Sequence, residues 1–294
     1  MKFWSYVLVV LLALGAGYAG SKLGTRGPTA AAEAESVYDR VMRTKTIRCG
    51  YAQWPPAMLV KDANTGKITG IFHEIAEEMA VNLNLKIEWA EETGWGAFIE
   101  GLQSNRFDMF CAPLWQNAER GRLISYSRPL SYSASHVYAR AGDMRFDNDL
   151  SLLNAPEYKI ATLDGEMSSI IARKFFPRAQ TVSLPQLSDI TQVMLDVVGG
   201  KADVTFMDPS IAKAFASKNP GMIRQATRIP YNIFPNVFGF RIGEEKFKGM
   251  IDSALGEMLN QGRIDKITEK YEPDRSIFMP VAKPYIYVEP APLK

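Results

Sequence analysis

Apolar positions follow different rhythms along this chain. From Tyr6 to Ala19 they run almost without interruption. Beyond that run, short apolar stretches alternate with segments in which apolar residues recur every three or four positions. Ile75, Met79 and Leu83 share one face at helical spacing, as do Phe98, Ile99 and Leu102. Lys86–Trp89 alternates polar and apolar residues, the period of a strand. Ile47–Gly50 reads as a first strand ended by the turn-forming Trp54-Pro55-Pro56. Phe107–Ala112 is continuously apolar between turns, the pattern of a parallel strand buried on both faces. Strand, helix, strand, helix, strand in this order predicts an α/β unit with parallel pairing.

The rhythm then restarts. Strands are expected at 159–163, 181–184 and 204–207, with helices at 168–176 and 188–198. The second of these helices turns Ile190, Val193, Met194 and Val197 inward. Two short apolar segments, His136–Arg140 and Val237–Arg241, flank this second unit. They are expected to be the two crossings of a chain that leaves one lobe and returns to it. A return helix over 244–260 carries Phe247, Ile251, Leu255 and Met258 on one stripe. The expected organisation is a first lobe over 38–140, a second over 141–236, a return segment over 237–272, and a Pro-rich, irregular tail over 273–294.

The N-terminus stands apart. Lys2, the apolar run and small residues at Gly15, Ala16, Gly17, Ala19 and Gly20 suit a secretory signal. A retained membrane anchor over 1–20 fits the same residues. A Gly-, Pro-, Thr- and Ala-rich tether over 21–37 follows. Either way the body is expected outside the inner membrane, in the periplasm, where two cysteines can pair.

Composition narrows the function classes. The chain has 294 residues, 34 basic against 32 acidic, for a formal charge of +2. No basic stripe stands out to release phosphate counterions, so no nucleic-acid partner is expected. His73, His136, Cys49 and Cys111 match no recognised metal-ligand spacing, and no metal or cofactor is expected. Cys49 and Cys111 fall on strands that should be neighbours, as buried thiols or as a structural bridge.

Several stretches in fixed order resemble one bacterial family. They are Ile47-Arg48-Cys49-Gly50-Tyr51 with Trp54-Pro55-Pro56, Thr69-Gly70-Ile71 before a helix, and Leu102-Gln103-Ser104-Asn105-Arg106-Phe107-Asp108. Ala118-Glu119-Arg120, Tyr126-Ser127-Arg128-Pro129-Leu130 and Gly200-Lys201-Ala202-Asp203-Val204 follow. The family is that of periplasmic solute-binding proteins, family 3, serving polar-amino-acid ABC transporters. The resemblance spans about residues 45 to 272. It implies a two-lobed α/β clamshell of the type II periplasmic-binding fold, joined by two hinge strands. A small amino-acid-like ligand would sit between the lobes, and a transporter permease would be the partner.

By the same resemblance, Arg120 would take a ligand carboxylate and Asp208 a ligand ammonium, with Trp54 and Trp95 as aromatic walls. The chemistry suits the residue types. Guanidinium offers a planar fork for two carboxylate oxygens. Asp208 follows a predicted strand at the end where open α/β sheets bind ligands, although an Asp before Pro209 is also an ordinary helix cap. Trp54 in a Pro-rich turn and Trp95 between Gly94 and Gly96 are expected on accessible loops.

Two departures bear on the ligand. Trp115 stands where relatives place a small hydroxyl residue, five positions before Arg120. In the helix-start turn Gly165-Glu166-Met167-Ser168-Ser169, Glu166 replaces a neutral donor, while Ser168 and the helix amides would welcome an anion. A carboxylate ligand would meet repulsion from Glu166, so a more cationic or aromatic guest is favoured over a standard α-amino acid. Two other function classes share this fold: a dehydratase using an acid in the cleft, and a sensory module held by its N-terminal helix. No nucleophile or phosphate-loop motif supports catalysis, and the chain is expected not to be an enzyme.

Overall fold

The structure, a computed structural model, describes residues 35–62, 65 and 67–285. The expected signal or anchor and most of the tether lie outside the described residues.

The first half of the chain runs α1 (Val37–Thr44), β1 (Thr46–Tyr51), β2 (Leu59–Asp62), β3 (Lys67–Thr69), α2 (Ile71–Asn82), β4 (Lys86–Glu92), α3 (Phe98–Gln103), β5 (Met109–Trp115) and β6 (Ile124–Tyr126). Then come β7 (Ser131–Arg140), β8 (Lys159–Leu163), α4 (Met167–Phe175), β9 (Gln180–Leu184), α5 (Thr191–Val198), β10 (Val204–Met207), α6 (Pro209–Lys218), β11 (Ile223–Gln225) and β12 (Asn232–Arg241). Two helices, α7 (Glu245–Asn260) and α8 (Arg263–Tyr271), follow. Apolar period and turn residues account for most of these bounds. α6, for example, opens on Asp208 and Pro209, a side-chain cap followed by a residue whose missing N–H costs nothing at that position.

One sheet path carries the order β4-β1-β5-β12-β7-β10-β8-β9. Its two ends are parallel: β1 pairs β4 and β5, and β8 pairs β9 and β10. Every residue of β5 is buried, as the unbroken apolar run requires of a central strand. The middle of the path is antiparallel and is made by the two crossing strands, β7 and β12. This is the expected two-lobed α/β fold.

The crossing lies upstream of the segments expected to form it. β7 and β12 pair with each other through Ser131–Ser135 and Asn232–Asn236. His136–Ala139 instead pairs with β10, while Val237–Phe240 pairs with β5. The reason is polar. Ser131, Ser133 and Asn236 are buried at the crossing, and Asn236 Nδ2 donates to Ser131 Oγ and Ser133 Oγ, each at 3.2 Å. Buried polar groups are tolerated when they satisfy one another, and apolar periodicity carries no trace of that.

Cys49 and Cys111 are joined in a disulfide between β1 and β5, with a Cα–Cα separation of 5.7 Å. Of the two readings left open, the bridge is the one observed.

The start of the tail is packed. Glu272 accepts hydrogen bonds from the amides of Ile277 and Phe278, and Tyr132 and Met279 exchange backbone hydrogen bonds at 2.9 and 2.7 Å. Phe278 is fully buried. Residues 273–279, irregular in backbone, thus form a packed strap against the first residues of β7.

Candidate functional site

Arg120 opens a short 3-10 turn after β5, its amide held at 3.0 Å by Asn117 Oδ1. The side chain is buried, with the guanidinium 5.4 Å from the Phe98 ring centroid. Nη2 donates to the carbonyl of Gly165 at 2.5 Å, from the first half of the fold to the second. Burial pushes the guanidinium pKa down and the nearby Glu166 carboxylate pulls it back up. An arginine stays cationic under such opposing influences.

Gly165 is placed for that contact by its conformation. Its φ is +74°, and a Cβ there would lie 2.3 Å from the Gly96 Cα. Only glycine meets both the left-handed backbone and the close approach. The turns around residues 96 and 165 therefore pack directly on one another, and Gly96 N also donates to Gln186 Oε1 at 3.1 Å.

Glu166 caps α4. Its Oε2 accepts from Ser168 N at 2.7 Å and from the Ser168 hydroxyl. Burial pushes its pKa up, while the Ser168 bonds, the Met167 amide and the Arg120 charge act in the opposite direction. The amide and hydroxyl of Ser168 that sequence assigned to a ligand anion are therefore taken by the protein's own carboxylate.

The tryptophans converge. Trp54 sits in a tight turn closed by backbone bonds to Met58 at 2.7 and 2.9 Å. Its ring meets Trp95 edge-on at 5.3 Å, and Trp95 meets Phe110 at 5.7 Å. Both indoles are buried, at 5% and 7% exposure, rather than open on loops. Trp115 leaves the end of β5 and stacks on Phe234 at 4.8 Å and 20°. It thereby joins the apolar cluster of Phe146, Ile171 and Phe206.

Trp54, Trp95, Trp115, Arg120 and Glu166 line one cavity, together with Pro113 and Met167. Its volume is about 10 Å³, room for about one water molecule. A wider cleft of about 640 Å³ opens on the other side of Trp95, between Gln53, Pro55 and Glu92 on one wall and Leu187, Ile190 and Phe215 on the other. Met167 and Pro113 went unmarked in sequence because neither carries a polar signal. Their places follow from the neighbouring Glu166 and Trp115.

Ser168 and Asp208 do not line the small cavity. Asp208 is the N-cap of α6, with Oδ1 accepting from Ser210 N at 2.7 Å. Its other oxygen, Oδ2, is buried with no hydrogen-bond partner. Burial pushes the pKa up to about 6, Ser210 opposes that shift, and the Glu272 charge adds to it. The Ser133 hydroxyl lies close enough to act on the carboxylate without completing a bond to Oδ2. Ser133 is also the acceptor for Trp115 Nε1, at 2.8 Å. The indole therefore reaches from the Arg120 cavity to the polar crossing beside Asp208.

Comparison with known proteins agrees with this architecture. A probable amino-acid ABC transporter-binding protein of Haemophilus influenzae is 23% identical over 80% of this chain and 88% of its own length. The L-cystine-binding protein TcyA of Bacillus subtilis is 24% identical over 71% of this chain and 75% of its own. Among solved structures, a solute receptor for L-cysteine of Neisseria gonorrhoeae has a TM-score of 0.70 at 21% identity, covering 82% of this chain and 96% of the receptor. The ancestral amino acid-binding protein AncCDT-1, a precursor of cyclohexadienyl dehydratase, has a TM-score of 0.68 at 24% identity, covering 81% and 99%. At such identities the solved structures establish the fold alone. The model of the bacterial extracellular solute-binding proteins, family 3, matches residues 47–274, and the chain belongs to that family.

Proposed function

We propose that the protein captures a small polar, amino-acid-like solute between its two lobes outside the cytoplasm and presents it to an ABC transporter permease. One observation carries this reading. Residues from both halves of the chain, Arg120 with Trp54, Trp95 and Trp115 on one side and Glu166 with Met167 on the other, enclose a single aromatic and charged cavity. Small-molecule sites are commonly apolar walls with a few placed polar groups, and this one has that make-up. A guest larger than water enters only when the halves part, so binding couples to opening and closing. A solute that contacts both halves only when they are closed shifts that equilibrium by its differential affinity.

The relatives support the same class of guest, since those named bind amino acids or cystine. The site assignments extend the reading: the indoles as walls, Arg120 and Glu166 as the charged pair, and Asp208 as a second carboxylate behind Trp115. No turnover is proposed. The test is calorimetric titration of the exported body with amino acids and amines, alongside an assay for prephenate consumption. Saturable binding at one site per chain without turnover is expected. Prephenate consumption with no saturable binding would overturn it.

A further inference from the structure

The charges around the cavity do not suit a free carboxylate. Arg120 is the guanidinium that a carboxylate ligand would need, yet it shares a cavity of about 10 Å³ with the buried carboxylate of Glu166 and already donates to Gly165 O. Glu166 is fixed there by the amide and hydroxyl of Ser168 at the start of α4, the donors an incoming anion would otherwise use. A ligand carboxylate on Arg120 would therefore sit beside a second carboxylate in a water-poor space, where like charges repel strongly. Trp115 adds a steric limit, since its indole spans from this cavity to Ser133 beside Asp208.

The rest of the site suits a cation. Asp208 lies outside the cavity lining, behind Trp115, and its Oδ2 is buried with no hydrogen-bond partner. With Glu166 offsetting Arg120, one carboxylate is left in excess. Three indoles line the cavity, and indole rings attract alkylammonium groups. Among the described residues lining the cavity, only Arg120 is a cation, and its charge is already answered.

Resting on the solute-binding reading above, we infer that Glu166 acts as a built-in carboxylate that occupies the electrostatic place of the amino-acid carboxylate, so that the solute is an organic monocation lacking a carboxylate. An amine or quaternary ammonium fits; a zwitterionic α-amino acid does not. Glu166 is then the residue that sets specificity, and its exchange for a neutral donor should change the ligand class rather than abolish binding.

Matched pairs of monocationic amines test this: tyramine with tyrosine, histamine with histidine, phenethylamine with phenylalanine, and isoamylamine with leucine, titrated calorimetrically into the full exported body at pH 7.5. The wild type should bind at least one amine about tenfold or more tighter than its carboxylated partner. In Glu166→Gln that ratio should fall by at least about tenfold, with Glu166→Thr as a second variant should the first fold poorly. A wild type that prefers the amino acid of every pair it binds overturns the inference and leaves the solute-binding reading standing. A wild type that binds neither member of any pair overturns both.

Discussion

The indole of Trp115 donates from Nε1 to the Ser133 hydroxyl at 2.8 Å, tying the end of β5 to the buried crossing of β7 and β12. The bond joins the wall of the small cavity to the strands about which the two halves of the fold connect. Packing reinforces it, because the same ring stacks on Phe234 of β12. Trp115→Phe keeps most of the packing and removes the donor. The loss should cost about 1 kcal/mol, read as a fall of about 2–4 °C in Tm. An unchanged Tm would mean the bond contributes nothing to stability.

Asp208 should make both stability and binding depend on pH. The folded chain holds this proton up to about pH 6, whereas the ordinary aspartate value is 3.8. Between those values the native state binds more protons than the unfolded state, so stability from this group is lost as pH rises through the window. The shift corresponds to roughly 3 kcal/mol at full effect. Asp208→Asn keeps a good helix cap and should flatten the stability profile between about pH 4 and 6. Affinity for a cation should rise as pH passes through about 6, where Asp208 ionises. A denaturation series that shows the same slope in the variant would contradict this account.

Gly165 should be intolerant of a side chain. A Cβ would meet the Gly96 backbone on a residue whose φ is +74°. Gly165→Ala is expected to weaken solute binding by at least about tenfold, or about 1.4 kcal/mol, because it opposes the closed arrangement of the turns around residues 96 and 165. Calorimetry checks it, and parent-like affinity would show that this contact is not part of the bound state.

The Cys49–Cys111 bridge spans a sequence separation of 62. By the chain-entropy argument, a loop of that length is worth about 4 kcal/mol. The double variant Cys49→Ala, Cys111→Ala should unfold at a clearly lower denaturant midpoint. A midpoint equal to the parent's would place the bridge outside the stability of the fold.

Much of the fold was legible because its strands are apolar runs with turn residues at their ends. β5 and the helix carrying Ile75 and Met79 are the clearest cases. The crossing was misplaced by several residues because Ser131, Ser133 and Asn236 are buried as a mutually bonded polar set. α8 escaped notice for a related reason: most of its residues are charged or polar, and only Ile264, Ile267 and Thr268 are buried. At the site, the family resemblance and the departures from it pointed to five side chains that the fold does bring around one cavity. Asp208 and Ser168 fell elsewhere because each serves the start of a helix, a local use that spacing along the chain does not distinguish from ligand contact.

On the proposed function, solute reaches a cavity that exists only between closed halves. Glu119 and Arg173 form an exposed ion pair across those halves and offer a direct test. In the double variant Glu119→Cys, Arg173→Cys, a short bismaleimide would lock the two sides together without disturbing the native bridge. Before cross-linking, the variant should bind its solute as the wild type does. After cross-linking, the association rate should fall by at least about a hundredfold, since locked halves cannot admit a guest. A cross-linked protein that takes up solute at the unlocked rate would contradict capture between the lobes.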